Sequence, residues 1–436
     1  MTDTTAAAAP IDELSEADRL VVELLLDPGA RAEPYGHYRR LRELDPVHRS
    51  GFGPLWCCTR YDDCRQALRD PHMVQPSTVL AGDPDPDDEA TVDGTGVTLF
   101  GARRRIDDPV AEHSLLRLNP PDHTRLRGLV SRGFTPRRVE ALRPAVAALT
   151  DRLLDDLEDA GEVDLLDALG FPLPVQVIGE LVGVPPADRD GFRGLVRAAA
   201  NALEPGITDE EWVAAGEASV QLQDYFRELI AERRRTPRDD LASALVTVQR
   251  DSQAEGGAAA LTDEEMIATL ILIFAAGFET TTNLIGNGVH TLLHHPDELE
   301  RLRRDPSLDA AAVEEILRFQ SPVQMDGRRA AADTEVGGRR VAAGEWVLTF
   351  LGAANRDPDR FDEPERFRIR PRETPVLSFA TGIHYCLGAS LARLEGQVVF
   401  RRLLDRFGTI ELTAEPSWRN TFILRGLERL PVRVAR

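Results

Sequence analysis

A long apolar helix is the feature that most limits the folds open to this 436-residue chain. Thr262 and Glu265 form the Thr-x-x-Glu capping box that starts a helix, and the helical pattern runs to His295, where Pro296 stops it. Residues 267–276 are apolar on every face, which is typical of a helix buried inside a protein. With 42% hydrophobic and 6% aromatic residues, the chain suits a large core built from aliphatic side chains.

The same helix carries polar residues that its apolar surroundings do not favour. Gly277 weakens the helix by ~1 kcal/mol relative to alanine, and a charge at Glu279 beside a dry segment is costly unless it is used. The Thr280 hydroxyl can donate to the carbonyl of Ala276, four residues earlier, and bend the helix. The plain interpretation is a threonine-rich helix segment with one glutamate that reaches solvent.

A second segment, 379–388, places a cysteine between glycines immediately before a helical pattern that begins at Ala389. A thiolate, and not a thiol, binds metal, and the amides and dipole of a helix N-terminus favour an anionic sulfur. Gly382 and Gly388 let the backbone approach something flat and bulky. We therefore interpret Cys386 as a thiolate ligand to an iron porphyrin. The alternative is that Cys386 is a small buried hydrophobic residue, as a lone cysteine in an apolar stretch most often is.

The spacing of this segment resembles the heme-ligand signature of the cytochrome P450 family. The matching positions are Phe379, Gly382, His384, Cys386, Gly388, Leu391, Ala392 and Arg393. Ala380 departs from the family pattern, which usually has glycine there. In the long helix, residues 276–280 resemble the family's acid–alcohol pair, and the resemblance continues in family order from Tyr35 to Leu430.

The resemblance implies a mostly helical, single-domain cytochrome P450 fold with a small β-rich lobe. That domain would span residues 16–436, after a flexible N-terminal arm at residues 1–15. The lobe would come mainly from residues 30–70 and 330–355. Residue patterns predict its short strands at 47–48, 55–58, 334–336, 340–341 and 346–350.

The resemblance also implies heme b as cofactor, with Cys386 as the metal ligand. Two prolines open a helix on which His123 and Arg127 share one face. A surface helix with solvated arginine is the ordinary interpretation of that pattern, but the resemblance assigns both residues, with Arg328, to the heme propionates. It places further residues at the cofactor, namely Ala276, Phe379, His384 and Gly388. It also implies a buried ion network that holds the cysteine segment, formed by Glu315, Arg318 and Arg366.

The reaction implied inserts one oxygen atom from O2 into a substrate, by hydroxylation or epoxidation. Thr280 would hydrogen-bond the bound oxygen, and Glu279 would relay protons from solvent. The substrate-pocket candidates are mostly apolar, which predicts a lipophilic small molecule; they are Val97, Leu99, Phe100, Ala275, Val323 and Phe422. A terpenoid, a macrolide, a fatty acid and a carrier-bound peptide all fit that description.

Two other functions stay open at this point. The chain could be a peroxygenase driven by hydrogen peroxide, or a heme-binding sensor or carrier without oxygenase activity. The intact pair of Glu279 and Thr280 argues against both, because neither function needs a proton relay.

Composition limits the partners and the compartment. The net charge of −21 argues against nucleic acid and against an anionic membrane as partners. Four cysteines show no disulfide or metal-cluster spacing, which fits a reducing compartment. Neither a signal sequence nor an apolar run of the ~20 residues needed to span a membrane is found. We therefore expect a soluble, cytoplasmic monomer.

Electrons would have to come from another protein, because the chain has no flavin or iron–sulfur motif. The resemblance implies a ferredoxin-type donor served by a ferredoxin reductase. Residues 117–143 hold seven arginines against only Asp122 and Glu140, so this segment is basic on an acidic protein. Such a segment would attract an acidic partner. The alternative is that several of these arginines only bind propionates or neutralise neighbouring carboxylates.

Overall fold

The structure is a computed structural model that describes residues 14–75, 109–158, 161–254, 261–371 and 374–436. Helices dominate it. The helices are α1 (Glu16–Leu26), α2 (Pro28–Ala32), α3 (Tyr35–Leu44), α4 (Tyr61–Arg69), α5 (Pro109–Glu112), α6 (Asp122–Val130), α7 (Pro136–Ala141), α8 (Arg143–Asp155), α9 (Pro172–Val182), α10 (Phe192–Asn201), α11 (Asp209–Arg235), α12 (Leu241–Ala254), α13 (Asp263–Leu293), α14 (Pro296–Arg304), α15 (Asp309–Phe319), α16 (Leu351–Ala354) and α17 (Ala389–Arg406).

Short strands form the rest of the regular structure. They are β1 (Val47–Arg49), β2 (Leu55–Cys58), β3 (Met73–Val74), β4 (Glu162–Asp164), β5 (Met325–Ala330), β6 (Thr334–Val336), β7 (Arg339–Val341), β8 (Trp346–Phe350), β9 (Thr409–Leu412), β10 (Ser417–Trp418), β11 (Leu427–Arg429) and β12 (Pro431–Ala435). The mostly helical fold with a small β-rich lobe is thus confirmed.

Helix α13 is the predicted long helix, and its capping box is formed. The Glu265 amide donates to Thr262 Oγ1 at 3.1 Å, and the Thr262 amide donates to the Glu265 carboxylate at 2.9 Å. The helix ends at Leu293, two residues before the predicted end. By length and composition it could cross a membrane, but 67% of its most apolar window is buried inside the protein. It is therefore the central core helix, flanked by one apolar cluster with α9–α11 and another with α15 and α17.

Gly277 has a packing role that its helix propensity does not reveal. A Cβ atom at this position would lie 2.5 Å from Cγ1 of Ile178 on α9. Because protein interiors are close-packed, only glycine lets the two helices meet there. The loss in helix propensity at Gly277 is therefore offset by close contact between α9 and α13.

The β-rich lobe is a five-stranded sheet in the order β1–β2–β8–β5–β3, with β2 and β8 parallel and the other pairs antiparallel. The predicted strands of residues 55–58 and 346–350 have the observed bounds, but β5 lies just before the predicted range and was not predicted as a strand. Its sequence, Met-Asp-Gly-Arg-Arg-Ala, has no β-branched or aromatic residue, so the strand signal is missing. The second part of the lobe along the chain therefore begins at Met325, and Arg328 is a strand residue.

The C-terminal part ends in two small sheets. Strands β4, β12 and β9 form one, and β10 with β11 forms a hairpin. Residues 419–426 connect the two hairpin strands. Leu424 in this connection makes an isolated antiparallel bridge to Val323. The hairpin therefore reaches the segment that leads into β5.

Candidate active site

The cysteine segment forms a preorganised loop between a short 3-10 turn, Gly382–His384, and α17. The Cys386 amide donates to the carbonyl of Phe379 at 3.0 Å, which closes the loop. The Cys386 side chain has an exposed face, although protein atoms crowd its other sides. That crowding raises the pKa of the Cys386 thiol, while the amide of Gly388 and the charge of Arg127 oppose the rise. A bound metal would deprotonate the thiol outright.

Two residues of this loop lie in the left-handed region of backbone conformation. Ala380 has φ +53° and Gly382 has φ +75°. A non-glycine residue is uncommon there, which explains why glycine is usual in the family at the position of Ala380. A Cβ at Gly382 would also lie 2.6 Å from the carbonyl oxygen of Leu68 on α4. The interpretation that Gly382 admits a flat group is therefore wrong, because its close contact is with α4. At Gly388, apart from its own chain neighbours, no atom of the described residues lies within 4 Å of that position.

Helix α13 has one exposed face in its buried middle. Ala276 is exposed, and Gly277 and Thr280 are half-buried, whereas Phe278 and Glu279 are buried. The Thr280 hydroxyl donates to the Ala276 carbonyl at 2.8 Å, as the sequence predicts. Bonds of this type bend helices. Because Ala276 is exposed and Thr280 is only half-buried, the face that includes Thr280 is accessible to a ligand.

Glu279 turns away from this exposed face. Its side chain is buried and forms an ion pair with Arg419 on the β10–β11 connection. Arg197 on α10 lies 4.0 Å from the same carboxylate. The interpretation of a glutamate that reaches solvent is therefore wrong. No local pattern indicates either arginine, since both lie far from Glu279 along the chain.

Within the described residues, a cluster of buried basic side chains has fewer partners than it has nitrogen atoms to satisfy. The rings of His123 and His384 lie 4.2 Å apart, which joins α6 to the cysteine segment. Among the described residues, neither the two buried nitrogens of His123 nor the buried Nη2 of Arg328 has a hydrogen-bond partner. The other amino group of Arg328 donates to Asp326. Arg127 donates to a carbonyl of the cysteine segment.

The pKa values of this cluster reflect the same shortage of partners. Burial, together with repulsion from Arg328 and His123, lowers the pKa of His384 to about 3. Burial and the charges of Arg127 and Arg328 also lower the pKa of His123. Buried donors without partners are rare and costly. The cluster therefore has the chemistry of a site for an anion such as a carboxylate.

The predicted ion network is present but has a different membership. Glu315 and Arg318 are fully buried and bonded at 2.8 and 2.9 Å. The inclusion of the Arg366 side chain is wrong: it is 61% exposed and pairs with Glu363. Only the carbonyl of Arg366 takes part, accepting from Arg318 at 2.9 Å. The buried guanidinium beside the network is instead Arg356.

The pocket candidates divide into three groups. Ala275 and Val323 are half-buried, as expected for residues that line a cavity. The assignment of Phe422 to the pocket is wrong. Its ring is 2% exposed and packs edge-on against Phe350, in the apolar core that α1 and α3 share with the β-rich lobe. Leu424, two residues later, is half-buried beside Val323. The remaining candidates, Val97, Leu99 and Phe100, lie outside the described residues.

The basic segment 117–143 is only partly free. Arg125 pairs with Glu265, and Arg143 pairs with Glu140. Arg137 and Arg138 are exposed on α7, which packs against α17, and within the described ranges no carboxylate pairs with them. The Arg132 side chain is outside the described residues. On α17 the neighbouring arginines are engaged, as shown by Arg393 with Glu314 and Arg401 with Asp309.

A flat metal complex that bears carboxylates would meet the unsatisfied groups of this site together. Carboxylates would pair with the buried donors of His123 and Arg328, the ring would occupy the open space at Gly388, and the metal would take the Cys386 sulfur. An iron porphyrin has that chemistry, and thiolate ligation is one of the ways in which proteins hold heme. Fold and site therefore define a heme-thiolate protein.

Comparison with known proteins gives the family. The model of the cytochrome P450 family matches residues 207–426. Cytochrome P450 107B1 of Saccharopolyspora erythraea is 42% identical over 419 residues, covering 94% of this chain and 97% of the relative. 6-Deoxyerythronolide B hydroxylase of the same organism is 38% identical over 408 residues, covering 92% and 96%. The chain belongs to the cytochrome P450 family; it is a monooxygenase of the soluble bacterial type and its cofactor is heme b.

A solved structure supports the same assignment. P450BioI in complex with an acyl carrier protein that bears hexadec-9Z-enoic acid superposes with a TM-score of 0.82 at 34% identity. The match covers 93% of this chain and all of that chain. The single-domain cytochrome P450 fold is thus confirmed.

Proposed function

We propose that residues 16–436 act as one domain that hydroxylates or epoxidises a lipophilic polyketide-type molecule in the cytoplasm. The observation that carries this proposal is the exposed face of α13, where Ala276 and Thr280 interrupt a buried helix next to half-buried apolar residues. A lipophilic substrate gains free energy by covering such a surface. When bound, heme would supply the O2 chemistry by which one oxygen atom enters the substrate and the other is reduced to water with two electrons and two protons.

The protein's own residues would bind and orient the cofactor. Cys386 supplies the sulfur ligand from a loop that is already closed by hydrogen bonds. His123, Arg127, Arg328 and His384 bind the propionates, while Phe379, Ala276 and Gly388 pack against the ring. Charge-assisted hydrogen bonds of this kind are about twice as strong as neutral ones.

Proton delivery would involve Thr280 and Glu279 in different ways. The Thr280 hydroxyl lies on the exposed face and can donate toward the oxygen that reacts. The Glu279 carboxylate must first leave Arg419 and Arg197 before it can carry a proton to that face. The ion pairs of Glu279 therefore control when this carboxylate can carry a proton.

The substrate class rests on the apolar wall and on the relatives. One similar protein is named as a hydroxylase of 6-deoxyerythronolide B, and another as a polyketide biosynthesis cytochrome P450 from Bacillus subtilis. We infer a macrolide or related polyketide for this chain. A carrier-bound acyl chain is the second candidate, favoured by the complex of P450BioI with an acyl carrier protein.

The reaction is tested with a macrolactone panel and isotopically labelled O2. The holoenzyme is supplied with ferredoxin, ferredoxin reductase and NADPH, and the products are analysed by mass spectrometry. The proposal predicts products that carry one labelled oxygen atom. Equal product with peroxide alone would favour a peroxygenase, and heme without turnover of any panel member would favour a sensor or carrier.

We also propose an acidic ferredoxin as the electron donor, docking at Arg137 and Arg138. These two exposed arginines leave positive charge free on an acidic protein, which steers an acidic partner. The double variant Arg137→Glu/Arg138→Glu should be reduced slowly at low salt, with a flattened salt dependence. The control, Arg235→Glu/Arg250→Glu, makes the same charge change on exposed residues of α11 and α12. Equal reduction rates for both variants would move the docking site elsewhere.

A further inference from the structure

Glu204 is a buried carboxylate that holds the tip of the C-terminal hairpin. It follows α10, is 7% exposed, and accepts hydrogen bonds from three consecutive backbone amides. These come from Phe422 at 2.7 Å, from Ile423 at 2.9 Å and from Leu424 at 3.1 Å. Successive amides that point to one place make a pocket for an anion. Here a side chain of the protein itself fills that pocket.

Arg31 on α2 braces both partners of this contact. Its guanidinium donates to the carbonyl of Asn420 at 3.2 Å, within the β10–β11 connection. It also donates to the carbonyl of Pro205 at 3.1 Å, next to Glu204. The two segments are therefore held together by a buried anion and a buried cation.

The opposite side of the hairpin tip contacts the segment before β5. The amide of Gln324 donates to the carbonyl of Ile423 at 2.9 Å, and Val323 bridges to Leu424. Strand β5 then continues to Arg328, the unsatisfied arginine of the basic cluster. A displacement of the tip would therefore move the Val323 side of the pocket.

The hairpin also contacts α13 beside the exposed face. Arg419 pairs with Glu279, the residue before Thr280. Asn287, two turns later, donates to the carbonyl of Arg425 at 3.1 Å. The hairpin thus spans the space between the helix that bears Thr280 and the strand that bears Arg328.

We propose that Glu204 is a positioning residue for the substrate: it fixes residues 422–424, and through them Leu424 and Val323, at the edge of the pocket. This inference rests on the proposed function, since it requires that a substrate binds against α13. Glu204 itself contacts the backbone of the tip, so its effect is on where a bulky ligand sits and how long it stays.

The charge on Glu204 is the essential property. A glutamine at this position retains the size but loses the charge, and its NH2 group would face amide donors. An aspartate retains the charge on a shorter side chain. The variants Glu204→Gln and Glu204→Asp therefore separate charge from size, and Glu210→Gln is the control because Glu210 is an exposed acid in the first turn of α11.

The first experiment measures hydrogen exchange of the amides of residues 422–424 in the holoenzyme. Loss of hydrogen bonds to a charged group should speed exchange about tenfold or more in Glu204→Gln. Glu204→Asp should restore part of the protection, and Glu210→Gln should match the wild type. Unchanged protection of these amides from exchange in Glu204→Gln would show that Glu204 does not fix residues 422–424.

The second experiment compares two iron ligands by rapid mixing. Imidazole needs only access to the iron, whereas 4-phenylimidazole must also fit against the pocket wall. In Glu204→Gln we expect dissociation of 4-phenylimidazole to be about tenfold faster, as for loss of a charge-assisted hydrogen bond, with imidazole unchanged. If amide exchange became faster but the dissociation rate of 4-phenylimidazole did not change, Glu204 would not position the ligand. A wild-type protein without a heme-thiolate spectrum would instead contradict the proposed function.

Discussion

Two buried polar clusters, one at Glu315 and Arg318 and one at His123, Arg328 and His384, differ in whether the protein satisfies their hydrogen-bonding groups. Every N–H of Arg318 has an acceptor: the Glu315 carboxylate, and the carbonyls of Asn355 at 3.1 Å, Pro364 at 2.7 Å and Arg366 at 2.9 Å. By contrast, Arg328 Nη2 and both nitrogens of His123 have no partner in the part of the chain that the structure describes. The first cluster is complete, and the second requires an anion.

This difference separates structure from function within one fold. A satisfied buried pair holds segments together, because removal of one partner strands a charge. An unsatisfied cluster raises the free energy of the protein until a ligand binds. The cofactor therefore provides part of the stability that the site lacks, as any ligand of the native state does.

The largest effect is expected when the satisfied cluster is broken. Glu315→Ala leaves Arg318 buried without its carboxylate and should lower the free energy of unfolding by ~3–5 kcal/mol. Urea unfolding monitored by circular dichroism measures it. Glu300→Ala removes an exposed glutamate that also pairs with arginine and should cost under ~1 kcal/mol. Similar losses in the two variants would show that burial does not distinguish them.

His290 tests whether one unpartnered base suffices to make a ligand site. Its Nδ1 is buried and has no partner within the described segments. Burial, with His294, Arg425 and His295, lowers its pKa to about 4. Between about pH 6.5 and 4 the unfolded chain binds the proton and the folded chain does not, so stability falls as the pH falls.

The expected loss between pH 7.5 and 4.5 is on the order of 2 kcal/mol more in the wild type than in His290→Gln. Thermal or urea unfolding at each pH gives the difference, which removes the contribution of the carboxylates shared by both proteins. If His290 bound an anion, protonation would stabilise the fold and the difference would change sign.

The unsatisfied cluster should respond in the opposite sense to the satisfied one. Arg328→Met removes a buried charge that has no full complement of partners, and the Asp326 carboxylate left behind is 25% exposed and can be hydrated. The heme-free protein should therefore lose under ~1 kcal/mol or gain stability. The holoenzyme should lose heme about tenfold faster, because a charge-assisted bond is absent. Transfer of heme to an acceptor protein measures that rate. A large stability loss in the heme-free variant would contradict the assignment.

Neighbouring threonines of α13 sharpen the comparison on a smaller scale. Thr280 and Thr281 both donate to carbonyls four residues earlier, at 2.8 and 3.0 Å, but only Thr280 lies on the exposed face. Thr280→Ala should therefore lower product per NADPH severalfold and raise peroxide release, an effect typical of a lost acid–base contact. Thr281→Ala should keep the coupling. Equal coupling in the two variants would exclude a proton role for Thr280.

Local patterns predicted much of this molecule. The capping box at Thr262, the bond from Thr280 to Ala276 and the loop around Cys386 all depend on residues within a few positions, so sequence suffices for them. The resemblance also predicted that His123 and Arg328 belong to the cofactor site.

The errors came from contacts between distant segments. Gly382 meets Leu68 and Phe422 packs on Phe350, and neither contact has a local signal. The Arg366 side chain pairs with nearby Glu363, whereas its carbonyl accepts from distant Arg318. Strand β5 forms because β8 and β3 pair with it, although its own residues do not favour a strand. Tertiary packing overrides local preference at such places.

The absorption spectrum of the reduced, carbon-monoxide-bound protein tests the central claim most directly. Cys386→Ser should lose the heme-thiolate spectrum, because no other residue of the site supplies a sulfur. Cys57→Ala, which changes a buried thiol in β2, should retain it. A heme-thiolate spectrum that persists in Cys386→Ser would contradict the assignment of Cys386 as the iron ligand.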